Sequence, residues 1–345
     1  MTRPGRHMKG TSMDIKRKRV RIVGLAAVLA LGLAACSSSG GKQEEDSGAA
    51  GVSGGSVDTP QYKIAMITHE APGDTFWDLI RKGAETAATK DNIDLVYSND
   101  PQAPNQADLI QNAIDQQVDA IATTMPNPDA MAAVINKAVA AGIPVVEFNA
   151  GVSDWQDTDA LMYFGQDESV AGEAAGARLS DEGYKKVLCV VQEQGQVQLE
   201  ARCAGVEKGF SGTTEKLYVN GRDLPSVTSS IQAKLQQDTS IDAVITLGAP
   251  IALGAVQSVQ QAGSSAKVVT FDTNSDLVAS IENGDVQWAI DQQPFLQGYE
   301  AIDSLWLYLY NGNIIGGGQA VLTGPSFIDQ DNIATVAEYA KRGTR

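Results

Sequence analysis

The chain repeats itself. Residues 118–149 and residues 241–272 superpose without a gap at an offset of 123 positions. Val118-Asp119-Ala120-Ile121 falls on Ile241-Asp242-Ala243-Val244, and Asn149 falls on Asp272. The same offset carries Ile64–Glu70 (IAMITHE) onto Val187–Glu193 (VLCVVQE), so the duplication covers a whole domain. Each copy reads as a short apolar run, a turn with proline, an alanine-rich helical stretch and a second apolar run. That is the strand–helix–strand unit of a parallel sheet. Two α/β lobes built this way predict an interlobe cleft with strand C-termini pointing into it. Asn149 and Asp272 end matching strands and are expected to face that cleft.

The first 35 residues read as an export signal rather than as fold. Lys16, Arg17, Lys18, Arg19 and Arg21 precede the apolar run Ile22–Leu33, which is short for a bilayer core of ~30 Å. Leu33-Ala34-Ala35-Cys36 is similar to a bacterial lipobox, which implies lipidation of Cys36 and a membrane anchor. Residues 36–60 are dominated by serine and glycine and read as a flexible tether. Without residues 1–35 there remain 18 basic against 41 acidic side chains, a formal charge of −23. No basic stripe survives, which argues against nucleic acid as a partner. An acidic surface says nothing specific about a ligand.

About 285 residues remain, which suits two domains. Strands are expected at Tyr62–Thr68, Ile93–Tyr97, Ala120–Thr124 and Val145–Phe148. Helices are expected from Phe76, over Gln106–Gln117 and over Pro128–Ala141, the first capped by Asp74 or Thr75. The second lobe repeats this from Lys186, with helices near Leu199–Phe210, Ser226–Gln237 and Ile251–Ala262. A helix over Phe295–Tyr310 belongs to neither copy and is expected to return the chain to the first lobe. Crossovers then fall near Gly165-Gln166-Asp167, Gln292-Gln293-Pro294 and Thr323-Gly324-Pro325. The expected fold is α/β, two doubly wound parallel-sheet lobes joined by a three-strand hinge. The first lobe would hold residues 61–166 and 293–322, the second 167–292 and 323–345. Such hinges close around ligands.

Phe76 and Trp77 follow the first strand, where an aromatic face can stack on a sugar ring; one ring is expected in the cleft and one packed. Trp155 could sit at the cleft rim or pack on the surface, whereas Trp288 and Trp306 read as core. Asp74, Asn149, Arg202, Asp272 and Gln292 stand at strand ends or helix starts, and such groups suit a polyhydroxylated ligand. His69 could contact ligand, cap a helix or lie exposed. A single histidine after residue 35 leaves no basis for a histidine-rich metal site or a histidine-based triad. No P-loop, HExxH or GxSxG occurs, and no cofactor is called for. Cys189 and Cys203 form an even pair that favours a disulfide in an exported protein, two buried thiols being the alternative.

These residues carry a resemblance. Asp74-Thr75-Phe76-Trp77, Arg202-Cys203-Ala204-Gly205, the strand Val268–Phe271 ending at Asp272, and Gln292 together resemble the type I periplasmic binding proteins. Within that family the likeness is to the ribose-binding type, the sugar-binding components of ABC importers. The resemblance implies that the aromatics sandwich a sugar, that Arg202 and Asp272 bind its hydroxyls, and that an ABC permease is the partner of a monomeric binding protein. Two departures stand out. Asn149-Ala150 replaces an Asp-Arg pair, and Gly248-Ala249-Pro250 lacks the family's asparagine, so a ligand other than ribose, a different sugar or a polyol, is expected. A nucleoside or autoinducer sensor is the alternative on the same fold. A repressor is excluded by the export signal, and a glycosidase would need a carboxylate pair such as Glu70 and Asp272 ~5–10 Å apart.

Overall fold

The computed structural model describes residues 59–345. The export signal, Cys36 and nearly all of the tether lie outside the described residues. Among the described residues no helix is long and apolar enough to cross a membrane.

The first half runs β1 (Tyr62–Thr68), α1 (Phe76–Asp91), β2 (Ile93–Asn99), α2 (Ala103–Asp115), β3 (Ala120–Thr123), α3 (Pro128–Ala140), β4 (Val145–Phe148) and β5 (Met162–Gly165). The second runs α4 (Glu168–Asp181), β6 (Lys186–Val191), α5 (Val197–Gly209), β7 (Thr213–Tyr218), α6 (Leu224–Gln237), β8 (Ala243–Thr246), α7 (Ala249–Ala262), β9 (Lys267–Phe271), α8 (Ser275–Asn283) and β10 (Val286–Asp291). The chain closes with α9 (Pro294–Asn311), β11 (Val321–Leu322), β12 (Ser326–Asp329) and α10 (Ile333–Lys341).

Two six-stranded sheets result, ordered β11-β5-β4-β3-β1-β2 and β12-β10-β9-β8-β6-β7. All pairings are parallel except β10 with β12. Every residue of β3, β4, β5 and β8 is buried, as expected when helices cover both faces of a sheet. The first sheet packs Ile64, Met66 and Phe148 against α1 and α9, and Ile67, Ile121 and Val145 against α2 and α3. The second packs Cys189, Val269 and Phe271 against α4 and α5, and Leu188, Val244 and Val268 against α6, α7, α8 and α10. The Sγ atoms of Cys189 on β6 and Cys203 on α5 are bonded.

Four helices start earlier than the sequence reading placed them: α2 at Ala103, α5 at Val197, α6 at Leu224 and α7 at Ala249. In three of them a proline (Pro104, Pro225, Pro250) occupies the first turn. Proline fits there because its missing N–H is unused in a first turn, so it marks the start of the helix rather than a break before it.

The helix assigned to neither copy has a counterpart. In the first lobe α9 crosses α1, and in the second α4 crosses α5. Both crossings are glycine contacts. A Cβ on Gly298 would come within 1.9 Å of the Ile80 carbonyl oxygen, and one on Gly205 within 2.5 Å of that of Ser169. The chain enters each crossing helix from the other lobe, which is why a linear repeat does not register α9.

Candidate functional site

In each lobe the strand order reverses between the first strand and its inner neighbour: β1 and β3 in one, β6 and β8 in the other. Loops leaving strand C-termini diverge at such a point and leave a crevice. The two crevices face each other across a cavity of about 200 Å³. Asp74, Phe76, Trp77, Asn149, Arg202, Asp272, Gln292 and His69 all line it.

The floor is a chain of buried polar groups across the hinge. Asn149 Nδ2 donates to Gln292 Oε1 (3.2 Å) and to Gln297 Oε1 (3.1 Å). Gln292 Nε2 donates to Asp272 Oδ1 at 2.7 Å. Arg202 Nη1 donates to Asp272 Oδ2 (3.3 Å) and to the Leu247 carbonyl (2.9 Å). Behind it Glu168 takes Arg202 Nε at 2.7 Å and Nη2 at 3.0 Å, a bidentate pair buried on both sides. The three crossing segments join the same network: Gln166 Nε2 reaches Glu168 (2.8 Å), and Gln297 Nε2 reaches Thr323 Oγ1 (3.0 Å).

Burial pushes the Asp272 carboxyl up to about 6, against the pull of Arg202 and Gln292. Asp74 is likewise pushed up to about 6 by its enclosure, with Glu193 and Glu70 adding like charge and the Phe76 N–H opposing. Thr75 holds the N-cap position of α1 without a side-chain bond of its own, and Asp74 Oδ1, one residue earlier, accepts from that N–H at 3.1 Å.

The aromatic wall differs from expectation. Both rings line the cavity, Phe76 half-buried and Trp77 almost fully, the two standing perpendicular with centroids 5.4 Å apart. Trp77 is also part of the first lobe's core. His69 is neither exposed nor a cap. It is buried, edge-on to Trp77 at 4.7 Å, and burial pushes its imidazole down to about 3. Trp155 is neither rim nor surface: it is buried in a short 3₁₀ turn beside Tyr163. Trp288 is core, whereas Trp306 is only partly buried and stacks on Tyr310. Glu70 does not line the cavity; Arg81 Nη2 and the Tyr97 hydroxyl hold its carboxylate. Glu70 and Asp272 therefore do not form a facing pair.

Sequence reasoning missed Glu168, Gln297, Glu193, Gln198 and Arg222. Glu168 opens α4, where an acid is usual for dipole reasons alone, and nothing local marked it as a partner for Arg202. Gln198 was findable, because it lies one helical turn before Arg202 and so on the same face of α5.

Residues 64–313 match the model of the periplasmic binding protein domain family. A carbohydrate transporter from Acidothermus cellulolyticus 11B, solved in complex with myo-inositol, is 63% identical with a TM-score of 0.82, covering 83% of this chain and all of that one. The xylose/arabinose-binding protein of Sulfolobus acidocaldarius is 23% identical over 79% of this chain and 72% of its own. The ribose import binding protein of Bacillus subtilis is 25% identical over 66% of this chain and 76% of its own.

Proposed function

The chain belongs to the periplasmic binding protein domain family, and from that premise we propose that it captures a polyol or sugar in its interlobe cavity, with a cyclic polyol of the myo-inositol kind as first choice. It delivers this ligand to an ABC permease as a monomer, outside the cytoplasmic membrane, to which a lipid on Cys36 tethers it. The lobes that close on the ligand are 61–166 with 293–322, and 167–292 with 323–345. No chemistry on the ligand is part of this reading.

The observation that carries the reading is the pairing of two unlike sets of groups in one cavity. Phe76 and Trp77 offer apolar faces to it, and Asn149, Arg202, Asp272 and Gln292 offer fixed donors and acceptors. A ring with hydroxyls around its edge meets both needs: its C–H face covers the aromatics while the hydroxyls bond the amides and carboxylates. Ala150, which follows Asn149, offers no charged side chain to the ligand at that point of the first lobe. The 63% identity to a protein solved with myo-inositol supports the cyclic polyol over an open-chain or furanose ligand.

A thermal-shift panel tests this, with myo-inositol and its isomers beside pentoses, hexoses, disaccharides and nucleosides. A ligand at 100 times its dissociation constant adds about 2.7 kcal/mol to the folded state. A rise in melting temperature with an inositol is the expected result. A rise with nucleosides alone would replace the polyol by the sensor reading, and silence across the panel would remove the ligand class.

A further inference from the structure

The first turn of α5, which belongs to the second sheet, is docked on the first lobe. Val197 N donates to the Pro126 carbonyl at 3.2 Å. One residue on, Gln198 Nε2 lies 3.0 Å from His69 Nε2 and 2.7 Å from Gln196 Oε1. The directions of these bonds are determined from one end. Glu193, as a carboxylate, only accepts, so the Gln196 atom facing it is the amide nitrogen. The Gln196 oxygen therefore faces Gln198, which must present its own nitrogen. His69 Nε2 then accepts, leaving the ring proton on Nδ1, which donates to Thr124 Oγ1 at 2.7 Å. Thr124 is held in turn by Gln106 Nε2 at 3.0 Å.

This relay, Glu193 to Gln196 to Gln198 to His69 to Thr124, crosses from one lobe to the other at the edge of the cavity. It leaves one group over. Gln198 Oε1 is buried and has no partner among the described residues, on a side chain that is 6% exposed and lines the cavity. A buried acceptor without a donor costs about 1–3 kcal/mol, so this wall of the cavity calls for an O–H or N–H from the ligand.

We infer that Gln198 is a specificity-determining residue of the cavity: its amide nitrogen latches His69 of the opposite lobe while its amide oxygen accepts a hydrogen bond from one ligand hydroxyl. The inference rests on the polyol reading for its ligand and on these hydrogen bonds alone for its relay. Because both roles use one planar amide, ligand occupancy and lobe contact reinforce each other. A hydroxyl on Oε1 holds the plane that points Nε2 at His69. A ligand with an ether or a hydrogen at that position satisfies neither.

Two measurements on the purified protein test it. In the first, myo-inositol and its monodeoxy analogues are titrated calorimetrically into wild type, Gln198→Ala and the bulk-preserving Gln198→Met. The expected result is about tenfold weaker myo-inositol binding by both variants. One deoxy analogue, lacking the hydroxyl that Oε1 takes, should lose clearly less affinity in the variants than myo-inositol does. Unchanged myo-inositol affinity in the variants, or the same loss for every analogue, would overturn the inference while leaving the polyol reading in place. The second needs no ligand. His69 is followed by imidazole NMR, its signal separated from that of His7, the other histidine of the chain. In wild type the buried ring is expected to titrate well below the ordinary histidine value, at about 3. Gln198→Glu places a carboxylate on Nε2 and should raise its titration by several units; an unmoved titration would refute the relay whatever the ligand proves to be.

Discussion

Asn149 and Asp272 are joined through a single side chain. Gln292 accepts from Asn149 with its amide oxygen at 3.2 Å and donates to Asp272 with its amide nitrogen at 2.7 Å. The two residues end equivalent strands of the two sheets, and both adopt left-handed backbone, with φ of 64° and 65°. Each sends its own N–H to the next strand of its sheet, Asn149 to Phe164 and Asp272 to Ile290. Asn and Asp tolerate this conformation better than any residue except glycine. Their identity thus follows from the backbone as well as from the cavity, and the hinge amide ties the two lobes at matching points.

Asp272→Ala should weaken polyol binding by roughly 2–4 kcal/mol, because it removes a charged acceptor and frees Arg202 and Gln292 to compete for water. Calorimetry with myo-inositol measures the loss, and far-UV circular dichroism should be unaltered. Wild-type affinity would take Asp272 out of the site.

Glu168→Gln should lower folding stability by about 3–5 kcal/mol, since both members of its ion pair with Arg202 are buried and the arginine would lose its main counter-charge. Urea unfolding reads this directly. A change below 1 kcal/mol would mean that Asp272 and Leu247 suffice for Arg202.

Glu147 sits wholly buried on β4, and burial pushes its carboxyl up to about 8 from an ordinary value of 4.5. The folded state therefore keeps a proton that the unfolded chain releases, so this group's contribution to stability falls as pH rises from about 4.5 to 8 and is level above that. Thr158 Oγ1 lies 2.6 Å from Glu147 Oε1, an arrangement that a neutral side chain satisfies. Glu147→Gln should flatten the decline of Tm between pH 5 and 8, gaining on the order of a few kcal/mol over wild type at pH 8. Parallel Tm profiles for the two proteins would contradict it.

Gly298→Ala should cost about 1–3 kcal/mol, because its Cβ would drive into the Ile80 carbonyl and force α9 off α1. Gly73→Ala offers a contrast, having open space around its Cβ but a φ of 86°; its smaller cost would come from backbone strain alone. Equal denaturation midpoints for Gly298→Ala and wild type would show that the crossing can relax.

Cys36→Ser should move the protein from the membrane to the soluble fraction on cell fractionation. Retention in the membrane would end the lipid-anchor reading.

The repeat at offset 123 was enough to place two parallel sheets and their shared cleft, because buried parallel strands demand continuous apolar runs and those runs recur in register. Asp74, Asn149 and Asp272 could be placed at that cavity for the same reason, standing where strands end and loops diverge, whereas Arg202, inside α5, was singled out by the family resemblance. What only the tertiary structure decided is which groups oppose each other across space. The glycine crossings of α4 on α5 and α9 on α1 unite segments that enter from opposite lobes. The Glu168–Arg202 pair joins residues 34 positions apart on two helices. The turn of His69 inward, onto a glutamine 129 positions away, leaves no trace in local composition. Local pattern records which face of an element is apolar; it does not record which polar group will stand opposite once the lobes meet.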